Sequence, residues 1–492
     1  MAIPCVLLIG CGRMGSGIAQ MLLMEQNRQR FPFELWIFDP YLPAETQCQQ
    51  DVSNNHISGT IRSLREVFSK SEKQVTSGLQ IKDKGVDFRK TSNLVSKAVQ
   101  QICPRLILNA ATYMAHEMYI PLARELGCDY LDLGQNLPPI QELATLDATI
   151  AKKEEGTRII QENGLAPGLA NILAMSMYHK ARSLNKGKKI NSVQMRVGGL
   201  PQHTAKGGKL HYGPTFSPEG LLFEYENTAY GLRNGQLVTP TTFTQPEYWE
   251  SPEETPQPYG VTPFSITDPR LRAILIDRVE AQFLQTTNNE LLLKNLEARP
   301  TADGTSRMCF EHRFQSTVSH LEYKTLRFAP HYDTWKEMQQ KGRLTSILAQ
   351  WRQHMNDPTI SGYPDLVLLR VWAQATSTSH PHTVELIALH DDAPTGSPKG
   401  LTAMQHLTGW PTVLLAMALL QQPPQAALSS QPEFFLASDF KTAFDRTIQQ
   451  VLQTGGIIAP FELIDGIRLL EEINQQNRIP LIQTRIVNIE TD

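Results

Sequence analysis

The chain has 492 residues, enough for two or three domains around a sizeable core. With 41% hydrophobic residues, 19% charged residues and a formal net charge of -3, it reads as an ordinary soluble globular protein without the charge excess that would recruit nucleic acid or an anionic membrane. Its longest apolar segments, such as Trp410 to Leu420, fall well short of the roughly 20 residues a membrane span requires, so no transmembrane helix is expected.

The amino-terminal run has no basic residue before Arg13 and its glycines belong to a loop, so no secretory signal is expected. Six cysteines (Cys5, Cys11, Cys48, Cys103, Cys128 and Cys309) lie scattered without a CxxC pair, which fits free thiols in a reducing cytoplasm better than a disulfide framework or a zinc site. His116-Glu117 resembles the start of a metalloprotease helix, but Ile120 stands where HExxH needs its second imidazole, and no metal site is expected.

The first element is the most informative. Val6 to Ile9 is apolar enough for a buried parallel strand, Gly10, Gly12 and Gly15 follow at GxGxxG spacing, and an apolar run from Ile18 suits a helix. Such a turn seats a diphosphate, because Gly10 can take unusual backbone angles and Gly12 admits close approach, while the helix N-terminus, with Arg13 and Met14, presents N–H groups to the anion. A second strand, Leu35 to Phe38, stops at Asp39, where a carboxylate would accept the ribose hydroxyls of NAD and repel the additional phosphate of NADP. The cofactor expected is therefore NAD in preference to NADP.

Residues 44 to 100 read as a polar surface elaboration, with a helical piece around Ile61 to Phe68. Arg105 to Ala111 is a short strand whose small terminal residues, Ala110 and Ala111, leave room for a cofactor, with Asn136 as a further lining residue. A helix from Ala115 to Leu126, strand Tyr130 to Leu133, helix Leu146 to Glu155 and strand Arg158 to Ile160 complete an alternating pattern. Gly164 to Gly168 breaks it before a helix from Leu169 to about Ala181.

Beyond residue 190 the pattern becomes strand-rich, at Ser192 to Val197, Leu321 to Phe328, Asp365 to Ala373 and Thr383 to His390. Residues 236 to 264, with six prolines, and residues 297 to 312 read as surface loops. Thr402 to Leu420 is an apolar helix, expected to kink at Pro411, and Pro460 can open a last helix. The fold expected is α/β, a Rossmann-type doubly wound parallel sheet plus an α+β domain with a mixed or antiparallel sheet. The Rossmann domain would span 1–168, completed by helices in 401–475, and the substrate and dimerisation domain 169–400.

Several stretches together resemble the saccharopine dehydrogenase family: Gly10 to Gly17, Asn109 to Ala111, Leu131 to Asn136, Gly164 to Gly168, Val197 to Gln202, Phe216 to Leu221, Tyr323 to Arg327 with His331, and Leu401 to Met404. The forms at Asp132 to Asn136 and Gly164 to Gly168 are most similar to the lysine 6-dehydrogenase branch, with Ala166 where saccharopine-using relatives carry an acid. The resemblance implies a homodimer that oxidises L-lysine at its 6-position to 2-aminoadipate 6-semialdehyde and ammonia, in the cytoplasm that the cysteine pattern suggests. Two stretches depart from the family pattern, Glu280 to Asn289 without a glycine and Phe328 to His331.

A reaction of this kind needs a proton acceptor, an anion site and a place for the distal amine. Arg327 is the candidate for the substrate carboxylate, and strand alternation puts Tyr323 and Thr325 on its face and Lys324 on the other. His331, Glu219 and Asp132 are the catalytic candidates. Each has a structural alternative: a surface or core histidine, a helix cap, and a buried hydrogen bond. Three functions stay open at this point: dehydrogenation of lysine, dehydrogenation of saccharopine or a carboxy-polyamine, and NAD binding without catalysis.

Overall fold

The computed structural model describes residues 3–68, 92–111, 116–134, 157–201, 210, 212–213, 215–248, 296–302, 306–310, 312–328, 331–355, 365–376, 382–389, 400–421, 456–458, 466, 469–470 and 483–487. Their strands are β1 (Cys5–Ile9), β2 (Glu34–Phe38), β3 (Ile61–Ser63), β4 (Leu106–Asn109), β5 (Asp129–Asp132), β6 (Arg158–Ile160), β7 (Ile190–Pro201), β8 (Gly231–Arg233), β9 (Gln236–Val238), β10 (Glu247–Tyr248), β11 (Leu296–Arg299), β12 (Val318–Phe328), β13 (Asp365–Ala375), β14 (His382–Leu389), β15 (Gly456–Ile458) and β16 (Gln483–Val487). They form two sheets.

The first sheet has seven parallel strands in the order β15-β6-β5-β4-β1-β2-β3. β1 is apolar on both faces because both are covered, as parallel strands demand. Val6 and Leu8 join the core beneath helix Arg13–Gln29, and Leu7 and Ile9 join the core that holds Val95, Val99, Tyr119 and Leu122. The chain leaves β1 toward β2 and β3 and then returns to place β4 on β1's other side. Such a reversal opens a crevice beyond the strand ends, here between Gly10 and Ala110-Ala111.

The described parts of the region between β2 and β4 carry regular elements. Helix Leu42–Asn54 is a crossover between β2 and β3, and Ser92–Ile102 precedes β4. Ile61 to Ser63 is an edge strand and not helical, since Ile61 pairs with Leu35 and Arg62 lies over the Trp36 ring at 4.0 Å. One 3-10 turn, Leu64–Val67, follows it, with Ser63 and Glu66 forming a capping box. The expected helix at 146–155 lies outside the described residues; of the one opened by Pro460, Gly466, Leu469 and Leu470 are described and are helical.

The second sheet is mixed, with nine strands: β10-β11-β12-β7-β13-β14-β16, plus the β8–β9 hairpin against β12. Only β12 and β7 run parallel in it. Parts of both expected surface loops are strands. Gln236–Val238 and Glu247–Tyr248 are β9 and β10, and residues 296–302 are buried, with Arg299 paired to Glu297 at 2.8 Å and donating to the Phe243 carbonyl at 3.0 Å.

Helix Ala403–Gln421 runs through Pro411 and couples the two sheets. At its start the Asp365 carboxylate, from the first residue of β13, accepts from the N–H groups of Ala403 and Met404 at 2.7 and 3.0 Å. Gln405 donates to the Arg13 carbonyl at 2.6 Å, and Gly17 faces the Gln405 side chain. After this helix β15 extends the first sheet and β16 the second. No helix of the described residues is long and apolar enough to cross a membrane.

A Cβ at Gly15 would stand 1.8 Å from the Gly10 carbonyl oxygen, so helix and turn touch without a spacer. Gly15→Ala should destabilise the protein by about 1–3 kcal/mol, the usual cost of overpacking. A guanidinium melt unchanged by this substitution would contradict the packing.

Candidate functional site

The glycine turn builds a cradle. Gly10 has φ +87°, and a Cβ there would press within 2.6 Å of the Ala111 nitrogen, so the turn lies flush against the end of β4. A Cβ at Gly12 would meet nothing within 4 Å, and the first turn of helix Arg13–Gln29 carries no acidic side chain. Its positive end and its first N–H groups therefore face open space that an anion can enter.

At the end of β2 the half-buried Asp39 carboxylate accepts from the N–H groups of Cys11 and Tyr41 at 2.7 and 2.8 Å. Burial pushes its pKa up to about 6. Arg65 braces the loop from beneath, donating to the Asp39 carbonyl at 2.5 Å and pairing with Glu45 at 3.1 Å, while Glu45 accepts from the Asp39 N–H at 3.1 Å. An open anion cradle beside a fixed acceptor is what a dinucleotide needs, so the residues present fit one.

From this crevice a cavity of about 210 Å³ extends to the second sheet. Met14, Ala110, Ala111, Leu133 and Gly134 form its Rossmann end, and Gly164 to Pro167 edge it. Tyr323, Thr325 and Arg327 enter from β12, and Phe216, Phe223 and Glu224 from around helix Pro218–Glu226. Met404 and Thr408 close another side. Tyr323, Thr325 and Arg327 thus share one face of β12, while Lys324 on the opposite face bonds Glu247 at 2.6 Å.

Arg327, the candidate for the substrate carboxylate, has all three of its nitrogens engaged within the protein. Its Nη2 bonds both Glu224 oxygens at 3.0 and 3.2 Å, Nε donates to the Tyr225 hydroxyl at 2.7 Å, and Nη1 donates to the Leu326 carbonyl at 2.8 Å. Of five N–H donors, one on Nη1 stays clear of these partners. Burial opposes the charge, but the Glu224 carboxylate and the phenolic oxygens nearby hold the Arg327 pKa well above its ordinary value. Thr325 bonds Thr301 at 2.7 Å.

His331 is fully buried outside the cavity lining. Its Nδ1 lies 2.8 Å from the Leu210 carbonyl, which can only accept, so Nδ1 carries the proton and Nε2 accepts from the Tyr225 hydroxyl at 2.8 Å. The histidine is linked to the cavity through Tyr225 and Arg327. Asp132 is also fully buried and accepts from the Glu162 N–H at 3.1 Å, so it ties the ends of β5 and β6 together instead of lining the cavity.

Ser217 caps helix Pro218–Glu226 through the Gly220 N–H at 3.3 Å. The Glu219 side chain, Asn136 and Glu280 to Asn289 lie outside the described residues. Sequence reasoning missed Glu224. Its signal was helical spacing, since Gly220, Phe223 and Glu224 stand at i, i+3 and i+4 and share the face that lines the cavity.

Residues 6–160 match the model of the saccharopine dehydrogenase NADP binding domain, and residues 164–439 that of the saccharopine dehydrogenase C-terminal domain. The chain belongs to the saccharopine dehydrogenase family. The glycine cradle and Asp39 both lie in the stretch that matches the family's dinucleotide-binding domain.

Mitochondrial alpha-aminoadipic semialdehyde synthase of Rattus norvegicus is 29% identical over 136 residues, covering 28% of this chain and 14% of the rat protein. The alpha-aminoadipic semialdehyde synthase of Arabidopsis thaliana is 34% identical over 86 residues, 18% of this chain and 8% of that protein. The chain therefore matches only a small part of the length of these relatives. Apo saccharopine dehydrogenase (L-Glu forming) of Saccharomyces cerevisiae superposes with a TM-score of 0.53 at 12% identity, covering 98% of this chain and all of that one, which is a likeness of fold.

Among the described residues, Glu224 and Arg327 are the only charged groups lining the cavity, 1% and 2% exposed. Glu224→Ala would strand a buried guanidinium and should cost about 3–5 kcal/mol, whereas Glu224→Ala with Arg327→Met should recover most of it. Denaturant midpoints of the single and double variants check this. Equal destabilisation by both would show that the ion pair is not the cause.

Proposed function

We propose that this family member is an NAD-dependent dehydrogenase acting on the C–N bond of an amino acid with a distal amine, L-lysine oxidised at its 6-carbon to 2-aminoadipate 6-semialdehyde. The observation that carries the reading is a largely apolar cavity running from the dinucleotide crevice to one charge-balanced pair, Glu224 and Arg327. An aliphatic chain with polar groups at its two ends matches that order of surfaces.

A nicotinamide dinucleotide, when bound, supplies the hydride acceptor. Gly10, Gly12, Gly15 and the N–H groups of Arg13 and Met14 would hold its diphosphate, and Asp39 its ribose. Ala110 and Ala111 leave room for the ring. Leu133, Leu165, Phe216 and Met404 exclude water from the reacting carbon. Tyr323 and Thr325 offer hydroxyl groups to the substrate. Loss of a hydride and a proton from the C–N unit gives an imine, and addition of water releases ammonia and the aldehyde.

Saccharopine is the second reading, favoured by the name of the yeast neighbour and by the saccharopine dehydrogenase models. It carries more carboxylates than lysine, and the described lining offers no cation beyond Arg327 to meet them. NADH production by the purified protein with lysine, ornithine, saccharopine and a carboxy-polyamine separates the readings. Lysine should react fastest. Saccharopine outpacing lysine would assign the second reading, and NADH binding without turnover of any of them would assign a non-catalytic role.

The Asp39 pKa near 6 gives a signed expectation for cofactor binding. The ionised form accepts from ribose, so affinity for NAD should be flat above pH 7 and fall below pH 6, by at most about tenfold per unit for one proton. Asp39→Asn should flatten that profile, and Asp39→Ala should erase a preference for NAD over NADP of roughly 10-fold or more. An unaltered cofactor preference in Asp39→Ala removes this carboxylate from the ribose site.

A further inference from the structure

We infer that Asn163 is the residue that holds the carboxamide of the nicotinamide ring, its side-chain amide meeting the cofactor's own amide donor to acceptor and acceptor to donor. This rests on the nicotinamide dinucleotide of the proposed function and on nothing in that reading about the amino acid.

The starting observation is an orphaned amide. Asn163 is fully buried, and neither its Oδ1 nor its Nδ2 has a hydrogen-bond partner. Its main chain, by contrast, is fully engaged. The N–H donates to the Asp132 carbonyl at 3.0 Å, and the carbonyl accepts from the Thr412 hydroxyl at 2.8 Å. The residue is therefore held just past the end of β6, between β5 and helix Ala403–Gln421, while its side chain keeps one acceptor and two N–H donors unmet. An unpaired amide is costly to bury, so this position calls for a partner with the complementary groups.

The strand order puts Asn163 on the path of the cofactor. From the glycine turn at the end of β1 the crevice runs two ways. Asp39, at the end of β2, takes the ribose of one nucleoside, so the other nucleoside extends in the opposite sense, over β4, β5 and β6. The strand ends met in that direction are Ala110-Ala111, Leu133-Gly134 and Gly164, and all of them line the cavity. Asn163 stands one residue behind the last. Thr408, one helical turn before Thr412, lines the cavity as well. Asn163 is thus bracketed by lining residues from β5, from β6 and from the connecting helix. Neither Gly134 nor Gly164 adds a side chain to this part of the wall, and a Cβ at Gly164 would press within 2.7 Å of the Leu133 carbonyl oxygen.

Two parts of a nicotinamide dinucleotide offer a donor and an acceptor side by side, the edge of adenine and the nicotinamide carboxamide. Asp39 draws the adenosine half toward β2, so the carboxamide is the group that reaches β6. The match is also neutral on both sides, which suits a site where a phosphate would set a buried charge against Oδ1. A carboxamide held at β6 fixes the rotation of the ring about its bond to ribose, and with it the face that the ring turns to the cavity.

The test is calorimetric binding to the full chain of three ligands. They are NADH, ADP-ribose, which lacks the nicotinamide, and reduced 3-acetylpyridine adenine dinucleotide, in which a methyl ketone replaces the carboxamide. The native protein should hold NADH about tenfold tighter than the acetylpyridine analogue, the value of one hydrogen bond. In Asn163→Leu that gap should shrink to about twofold or less and NADH should bind about tenfold more weakly, with the affinity for ADP-ribose unchanged. Asn163→Ala gives the same comparison where leucine is too large to fold in place.

Equal affinity of the native protein for NADH and the analogue overturns the inference without any variant. So does a folded variant that keeps the native preference between them. A variant that loses NADH and ADP-ribose alike makes Asn163 a structural residue and overturns it too. A native protein that binds neither NADH nor ADP-ribose removes the dinucleotide reading itself, whereas the expected NADH preference in a protein that leaves lysine unoxidised keeps the role of Asn163 and removes only the substrate.

Discussion

The crevice depends on the contact between the Gly10 carbonyl and the α-carbon of Gly15, where a methyl group would lie 1.8 Å from oxygen. That contact lets the helix begin against the end of β1, with its first N–H groups directed outward over the turn. The same turn is pressed on Ala111, so the end of β4 is fixed relative to β1. Small residues are required twice, for two reasons: Gly15 because another backbone occupies the space, and Gly12 because that space is left open.

The far side of the same helix carries the coupling to the second sheet. Gly17 receives the Gln405 side chain, and Gly409 receives Met21. Helix Ala403–Gln421 is anchored at its N-terminus by Asp365 of β13, with two backbone N–H groups on one carboxylate. The cofactor helix is thereby packed, through one connecting helix, on the sheet that bears Arg327. Met404 and Thr408, one turn apart, project from this connecting helix into the cavity.

Legibility in the sequence followed the range of the interactions. The dinucleotide turn was readable because strand, glycines and helix are consecutive, and β12 was readable because alternation alone sorts Tyr323, Thr325 and Arg327 from Lys324. Ile61 to Ser63 was misread because its strand character comes from pairing with β2 at the sheet edge, not from local pattern. Residues 297 to 302 looked solvent-exposed because Glu297 and Arg299 are charged, and their mutual pairing hides them. The short β8–β9 hairpin carries a local signal that went unread, Asn234-Gly235 at positive φ between two strands. For Arg327 the sequence located the residue but not its partner, because Glu224 is 103 positions away and joins it only through the fold.

That partner changes what the cavity can select. A lone buried arginine would favour any carboxylate and would itself be costly to desolvate; pairing with Glu224 relieves the cost and removes the indiscriminate attraction. Buried ion pairs are weak sources of stability, since hydrophobic groups of similar volume do as well or better. The chain nevertheless surrounds this one with Tyr212, Tyr225 and Tyr332 and extends it through His331 to a backbone carbonyl. Investment in orientation at a site that gains little stability is consistent with ligand selection. The fully buried His331, read from sequence as a catalytic candidate, serves that orientation: Leu210 holds its Nδ1, and its Nε2 accepts from Tyr225.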